Sequence, residues 1–116
     1  MESILQSIKK MLGISEEYKN FDVDIIMHIN SVLMILTQLG IGPPEGFSIS
    51  DDQPIWTDFV GEKKVEAVKS YVFMKVKLLF DPPTRSSVLE SYNRLINELE
   101  WRLNVQAEES ETIESA

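Results

Sequence analysis

Between Val23 and Leu39, apolar side chains return at every third or fourth position: Ile25, Ile26, Ile29, Leu33, Leu36 and Leu39, widened by Val32 and Ile35. That is the period of a helix. A strand, whose side chains alternate between two faces, would place the same residues on both sides. The width of the face predicts a helix buried on most sides. Asp22 is placed to act as its N-cap and Gly40 to end it. One such helix cannot cover its own apolar face, so the rest of the chain must supply partners.

Three further segments carry the same period. Ile4, Leu5, Ile8, Met11 and Leu12 form a stripe on a helix from about Glu2 to Leu12, with Lys9 and Lys10 in the last turn, where they suit the dipole, and Gly13 as the stop. A third helix is expected from about Glu62 to Phe80. Val65, Val68, Tyr71, Val72, Val76 and Leu79 form its core stripe, while Phe73, Met74, Leu78 and Phe80 make its second half apolar nearly all round. Such a helix is either central to the domain or covered by a neighbouring subunit. Asp81-Pro82-Pro83 ends it. The fourth starts near Ser87, where Ser87 and Glu90 have capping-box spacing, and presents Val88, Tyr92, Leu95, Ile96, Leu99 and Leu103. Glu90–Arg94 and Glu98–Arg102 fall on its outer face as i,i+4 pairs. The expected fold is all-α, a small bundle of about four helices. Its core is expected to come chiefly from Ile29, Leu33, Leu36, Val68, Val72, Val76, Leu95, Ile96 and Leu99.

Two segments break the pattern. Residues 41–61 open with two adjacent prolines among glycines and form a long irregular loop, in which Phe47 and Ile49 alternate with serines and Pro54 is placed to begin one or two helical turns. Phe47, Ile49, Ile55, Trp56, Phe59 and Val60 are too many apolar groups for a solvated loop. Asp51, Asp52 and Asp58 cannot be buried unpaired. Both demands are met if the apolar side packs on the chain's own helices or a neighbour while the acids face water. Residues 105–116 read as a flexible acidic tail beyond a single domain of residues 1–104.

The chain has 19 acidic against 11 basic residues and no cysteine. Disulfides and thiolate metal sites are excluded, consistent with a reducing cytosol, and an acidic chain does not attract nucleic acid by counterion release. No secretory signal is visible in Met1-Glu2-Ser3-Ile4, and the Val23–Leu39 stretch carries too many polar groups to span a membrane. His28, the one histidine, stands alone among Ile25, Ile29 and Val32. Asp51 and Asp52 are better read as solvated than as a metal or acid–base pair. Nothing in the sequence calls for a cofactor or marks a catalytic site, so the chain is read as a structural protein and not an enzyme.

The order of elements, with Met11-Leu12-Gly13-Ile14, Ile55-Trp56-Thr57-Asp58-Phe59-Val60-Gly61, Leu78-Leu79-Phe80-Asp81-Pro82-Pro83 and Leu99-Glu100-Trp101-Arg102-Leu103, resembles the head-tail connector (adaptor, or head-completion) proteins of long-tailed bacteriophages and prophages. The resemblance covers Met1 to about Asn104. It implies a helical virion protein at the head-tail junction, assembled in the host bacterial cytoplasm. It further implies about a dozen copies in a ring under the portal protein, bordering the DNA channel and offering a platform to a stopper or tail-completion protein. DNA would pass through without sequence-specific binding, and no membrane is involved. On this reading Trp56, Phe59, Phe73, Lys75, Lys77 and Phe80 are expected at the subunit interface and Asp51, Asp52 and Asp58 facing the channel. Lys63, Lys64 or Lys69 of an adjacent copy could meet those acids. Glu108, Glu109, Glu111 and Ile113 are expected to dock the tail on the portal. The alternative is a small helical regulatory or DNA-binding protein. It is disfavoured by the net charge of −8 and by third-helix lysines interleaved with apolar residues.

Overall fold

A computed structural model describes residues 2–115, with side chains as far as Ala107. The described residues form an all-α bundle. Its helices are α1 (Ile4–Met11), α2 (Asp22–Gln38), the single-turn α3 (Trp56–Phe59), α4 (Val65–Phe80), entered through a 3-10 turn at Glu62–Lys64, and α5 (Ser86–Ser115).

The central element is α4, which packs against α1, α2, α3 and α5. Its companions α2 and α5 lie on different flanks of it. The helix α2 runs antiparallel to α4, so that Phe21 at its start stacks edge-on against Phe80 at the end of α4. The helix α5 is antiparallel to α4 as well, with Phe73 beside Tyr92. Ile25, Ile29, Val32, Leu33 and Leu36 of α2 close on Val68, Tyr71, Val72 and Val76 of α4, with Ile4, Leu5 and Ile8 of α1 filling the third side. Each side chain so buried stabilises the fold by about 1.5–3 kcal/mol. This is the core that the helical periods predict, with two corrections. Leu95 and Leu79 are about half exposed, and Leu99 is only partly buried against the core. The apolar stripe of the terminal helix α5 is wider than the one helix it packs on, and its surplus faces outward; Leu79 sits in the last turn of α4, beside the exposed Asp81 and Pro82.

Several helix starts differ from expectation. The N-cap of α2 is Phe21, and Asp22 lies in the first turn. There its carboxylate meets Lys9 Nζ at 2.9 Å. That lysine is fully buried, and its ammonium also donates to the carbonyls of Glu16 (3.2 Å) and Tyr18 (2.7 Å). Lys9 thus ties the α1–α2 connection to both helices. The first residue of α3 is Trp56, not Pro54, whose carbonyl instead accepts from the Ile4 amide at 3.0 Å. The first residue of α5 is Ser86, and the Arg85 carbonyl accepts from the Leu89 amide, which places Ser87 inside the first turn rather than at a capping box. Of the two expected pairs on α5, Glu98–Arg102 forms at 2.7 Å, and Glu90–Arg94 does not form among the described residues.

The helix α5 is the longest element. The backbone of α5 stays helical through the segment expected to be a flexible tail, as far as Ser115. Packing continues to Ala107, whose Cβ lies where a side chain on Gly40 would come within 3.2 Å.

Candidate functional site

The loop of residues 41–61 is built into the fold rather than draped over it. Ile41, Ile49, Trp56, Phe59 and Val60 are buried in the chain's own core. Asn30 of α2 clamps the strand-like piece: its Nδ2 donates to the Ile49 carbonyl at 2.9 Å and its Oδ1 accepts from the Ile49 amide at 2.8 Å. The Trp56 indole donates to the Ser7 hydroxyl at 2.8 Å, inside the core. Ser3 and Ile55 form an isolated bridge. Gly42 takes a positive φ of 81° where any β-carbon would collide with the Phe59 ring. Trp56 and Phe59, expected at a subunit interface, therefore hold the loop to its own helices. That is the first of the two packings the loop's composition allows.

The three aspartates of the loop remain in water, each with a local job. Asp58 Oδ2 accepts from the Ile55 amide at 2.9 Å and caps α3. Asp51 accepts from the Gln53 amide at 2.9 Å, a turn that braces the loop. Asp52 accepts from Gln6 Nε2 (3.2 Å) and Gln53 Nε2 (3.0 Å), and these bonds hold its carboxyl below the usual range. The three exposed carboxylates therefore share a stretch of backbone fixed by hydrogen bonds.

Two of the lysines of α4 have partners within the chain. Lys69 donates to Glu2 Oε1 of the same chain at 2.9 Å, which lowers the Glu2 pKa, and Lys77 pairs with Asp81 at 2.8 Å. Lys63 is exposed, and Lys64 and Lys75 are half-buried. Among the other residues expected at an interface, Phe73 is half-buried against Tyr92, and Phe80 is half-buried between Phe21 and His28. The side chains of Glu108, Glu109, Glu111 and Ile113 lie outside the described residues.

Two further surface features stand out, and of their residues the sequence singled out Phe73 and Met74, on the over-apolar half of α4. One is an open groove of about 570 Å³ between α4 and α5, floored by Phe73, Met74, Tyr92 and Leu99. The other is the outward face of α2, where Val23, Met27 and Met34 point into water. Among the described residues, no three His, Asp or Glu side chains converge as they would around a metal ion, and no helix is long and apolar enough to cross a membrane.

Helices, a pinned loop with exposed aspartates, and apolar surface on two flanks are the features that the described residues present. The chain belongs to the phage connector proteins: the family described as "Phage connector protein" matches residues 4–110, nearly the whole chain. It is thus a bacteriophage head-tail connector component of the virion, a structural role that implies contact with other head or tail proteins. The chain matches no curated protein and no solved structure.

Proposed function

We propose that this chain is one subunit of a ring of about a dozen copies that docks beneath the portal, extends the DNA channel and presents a platform to the stopper or tail-completion protein. The observation that carries this reading is the family match over residues 4–110. The geometry supports it in three ways. A closed ring needs two different, complementary faces on each copy, and exposed apolar residues lie on both flanks of α4. A conduit must not grip DNA, and Asp51, Asp52 and Asp58 present fixed negative charge that repels phosphate. The backbone of α5 continues to Ser115, and the acidic run of Glu108, Glu109 and Glu111 with Ile113 is the segment we assign to docking on the portal. Phe73, Lys75, Lys77 and Phe80 flank the joint between copies. Assembly takes place in the host cytoplasm, and the DNA passes without sequence-specific contact.

Electron microscopy of the protein mixed with its portal tests the reading. Ring density under the portal is expected, and deleting residues 108–116 should leave the fold intact and weaken docking. A chain that stays monomeric and unbound with the portal present overturns the assignment.

A further inference from the structure

We infer that the contact between Gly40 and Ala107 is the socket that aims the docking end of α5, so that the acid-rich residues 108–114 are offered to the portal in one fixed direction. This rests on the docking role proposed for that end and adds the two residues that position it.

The socket is a helix cap. Just past the end of α2, the Gly40 amide donates to the Thr37 carbonyl at 3.0 Å and the Ile41 amide to the Leu36 carbonyl at 2.9 Å. With Gly40 at a φ of 88°, in the left-handed region, these are the paired bonds of a Schellman cap. Leu36 and Ile41 are both buried, as the apolar contact of such a cap requires. The backbone at Gly40 is therefore fixed, and glycine takes this conformation at little steric cost.

The key is equally constrained. A β-carbon on Gly40 would stand 3.2 Å from the Ala107 Cβ. A methyl group against bare backbone is thus about as much as the space admits. A larger side chain at 107 has to push the two helices apart.

The contact matters because of what else holds α5. That helix packs chiefly on α4, where Ile96 and Leu103 are buried. A helix laid along one other helix can roll and pivot about the line of contact. Gly40, at the end of α2 on another flank of α4, gives α5 a second support off that line. Two such supports fix a direction. The second one also falls where the sequence changes character. The apolar stripe runs through Tyr92, Ile96, Leu99, Leu103 and Ala107, and the positions that would continue it hold Ser110, Glu111 and Glu114. The helical backbone continues through them to Ser115. A segment already helical and already aimed loses less freedom on binding than a flexible tail would.

The absence of cysteine from the chain makes the direction measurable. Nitroxides on Ser31→Cys, an exposed position of α2, and on Thr112→Cys should give one narrow distance distribution by pulsed electron resonance. Adding Ala107→Leu should broaden it. In the unlabelled chain, Ala107→Leu should keep the wild-type circular dichroism and weaken portal binding by about tenfold. Ala107→Val intrudes less and should fall between, which keeps the test open if the leucine variant fails to fold. Gln106→Leu adds similar bulk at the exposed neighbouring position and should match wild type in both readings, as should Ala107→Ser. A merely structural contact would alter the melting temperature and leave the portal affinity of the folded protein unchanged. A narrow distribution kept by folded Ala107→Leu, or one lost with wild-type portal affinity retained, overturns the inference and leaves the docking role standing. A broad distribution in the otherwise wild-type chain overturns it as well. A wild type that does not bind the portal removes the docking role and the inference together.

Discussion

Asn30 grips Ile49 by both ends of its amide, donating to the carbonyl and accepting from the backbone N–H nineteen residues further along the chain. A single side chain on α2 thus replaces the neighbouring strand that this extended piece of loop lacks. Without it, the Ile49 backbone groups would be partly buried and unpaired. Asn30→Ala should cost about 2 kcal/mol in urea unfolding, the range for stranding buried polar groups. A loss below about 0.5 kcal/mol, the range of an ordinary surface site, would mean that Ile49 and Trp56 hold the loop by burial alone.

Trp56 is the deeper anchor of the same loop, fully buried with its indole on Ser7. Trp56→Ala should destabilise the monomer by about 3–5 kcal/mol. Asp52→Ala, at an exposed position, should change stability by less than about 0.5 kcal/mol. The comparison is read by thermal or urea melts of dilute protein, where assembly plays no part. Equal effects would contradict the placement of Trp56 in the core.

Lys9 and Lys10 are neighbours with opposite fates. Lys9→Met leaves the carbonyls of Glu16 and Tyr18 and the half-buried Asp22 without their cation, and should cost about 2–4 kcal/mol. Lys10→Met, on the exposed side of the same turn, should fall within about 0.5 kcal/mol of wild type. Faster proteolysis within residues 13–21 of Lys9→Met would report the loosened connection.

Tyr71 is fully buried between helices, and its hydroxyl meets no acceptor at hydrogen-bond geometry among the described residues. Burial pushes its phenol pKa well above the ordinary value, and the charge of Glu100 adds to the rise. The folded protein therefore keeps a proton that the unfolded chain begins to release near pH 10, about the free phenol value. This contribution to stability is complete below that pH and is lost as the pH rises beyond it. Tyr71→Phe removes a stranded hydroxyl at almost constant shape. It should leave stability unchanged or raise it by about 0.5–1 kcal/mol at neutral pH, and should reduce the alkaline loss. A loss above about 1 kcal/mol would show that the hydroxyl does find a partner in solution.

The sequence by itself determined the class, the helices and most of the core. The 3.6-residue period of Ile25, Ile29, Leu33 and Leu36, and of Val68, Val72 and Val76, is a local property that survives any arrangement of the helices. The strings around Trp56, Pro82 and Trp101 were enough to suggest the family. What only the tertiary structure decided were the matters that depend on which helix lies beside which. Lys9 reads as an ordinary last-turn lysine until the Glu16 and Tyr18 carbonyls fold over it. Asn30 reads as a polar blemish in an apolar helix until Ile49 arrives. Leu95 and Met27 reverse the usual expectation: one belongs to a core stripe by spacing yet is half exposed, the other is an unremarked methionine that faces outward. Periodicity states which side chains share a face of a helix. It cannot state how much of that face a neighbour covers, because coverage is set by the packing of α2 and α5 on opposite flanks of α4.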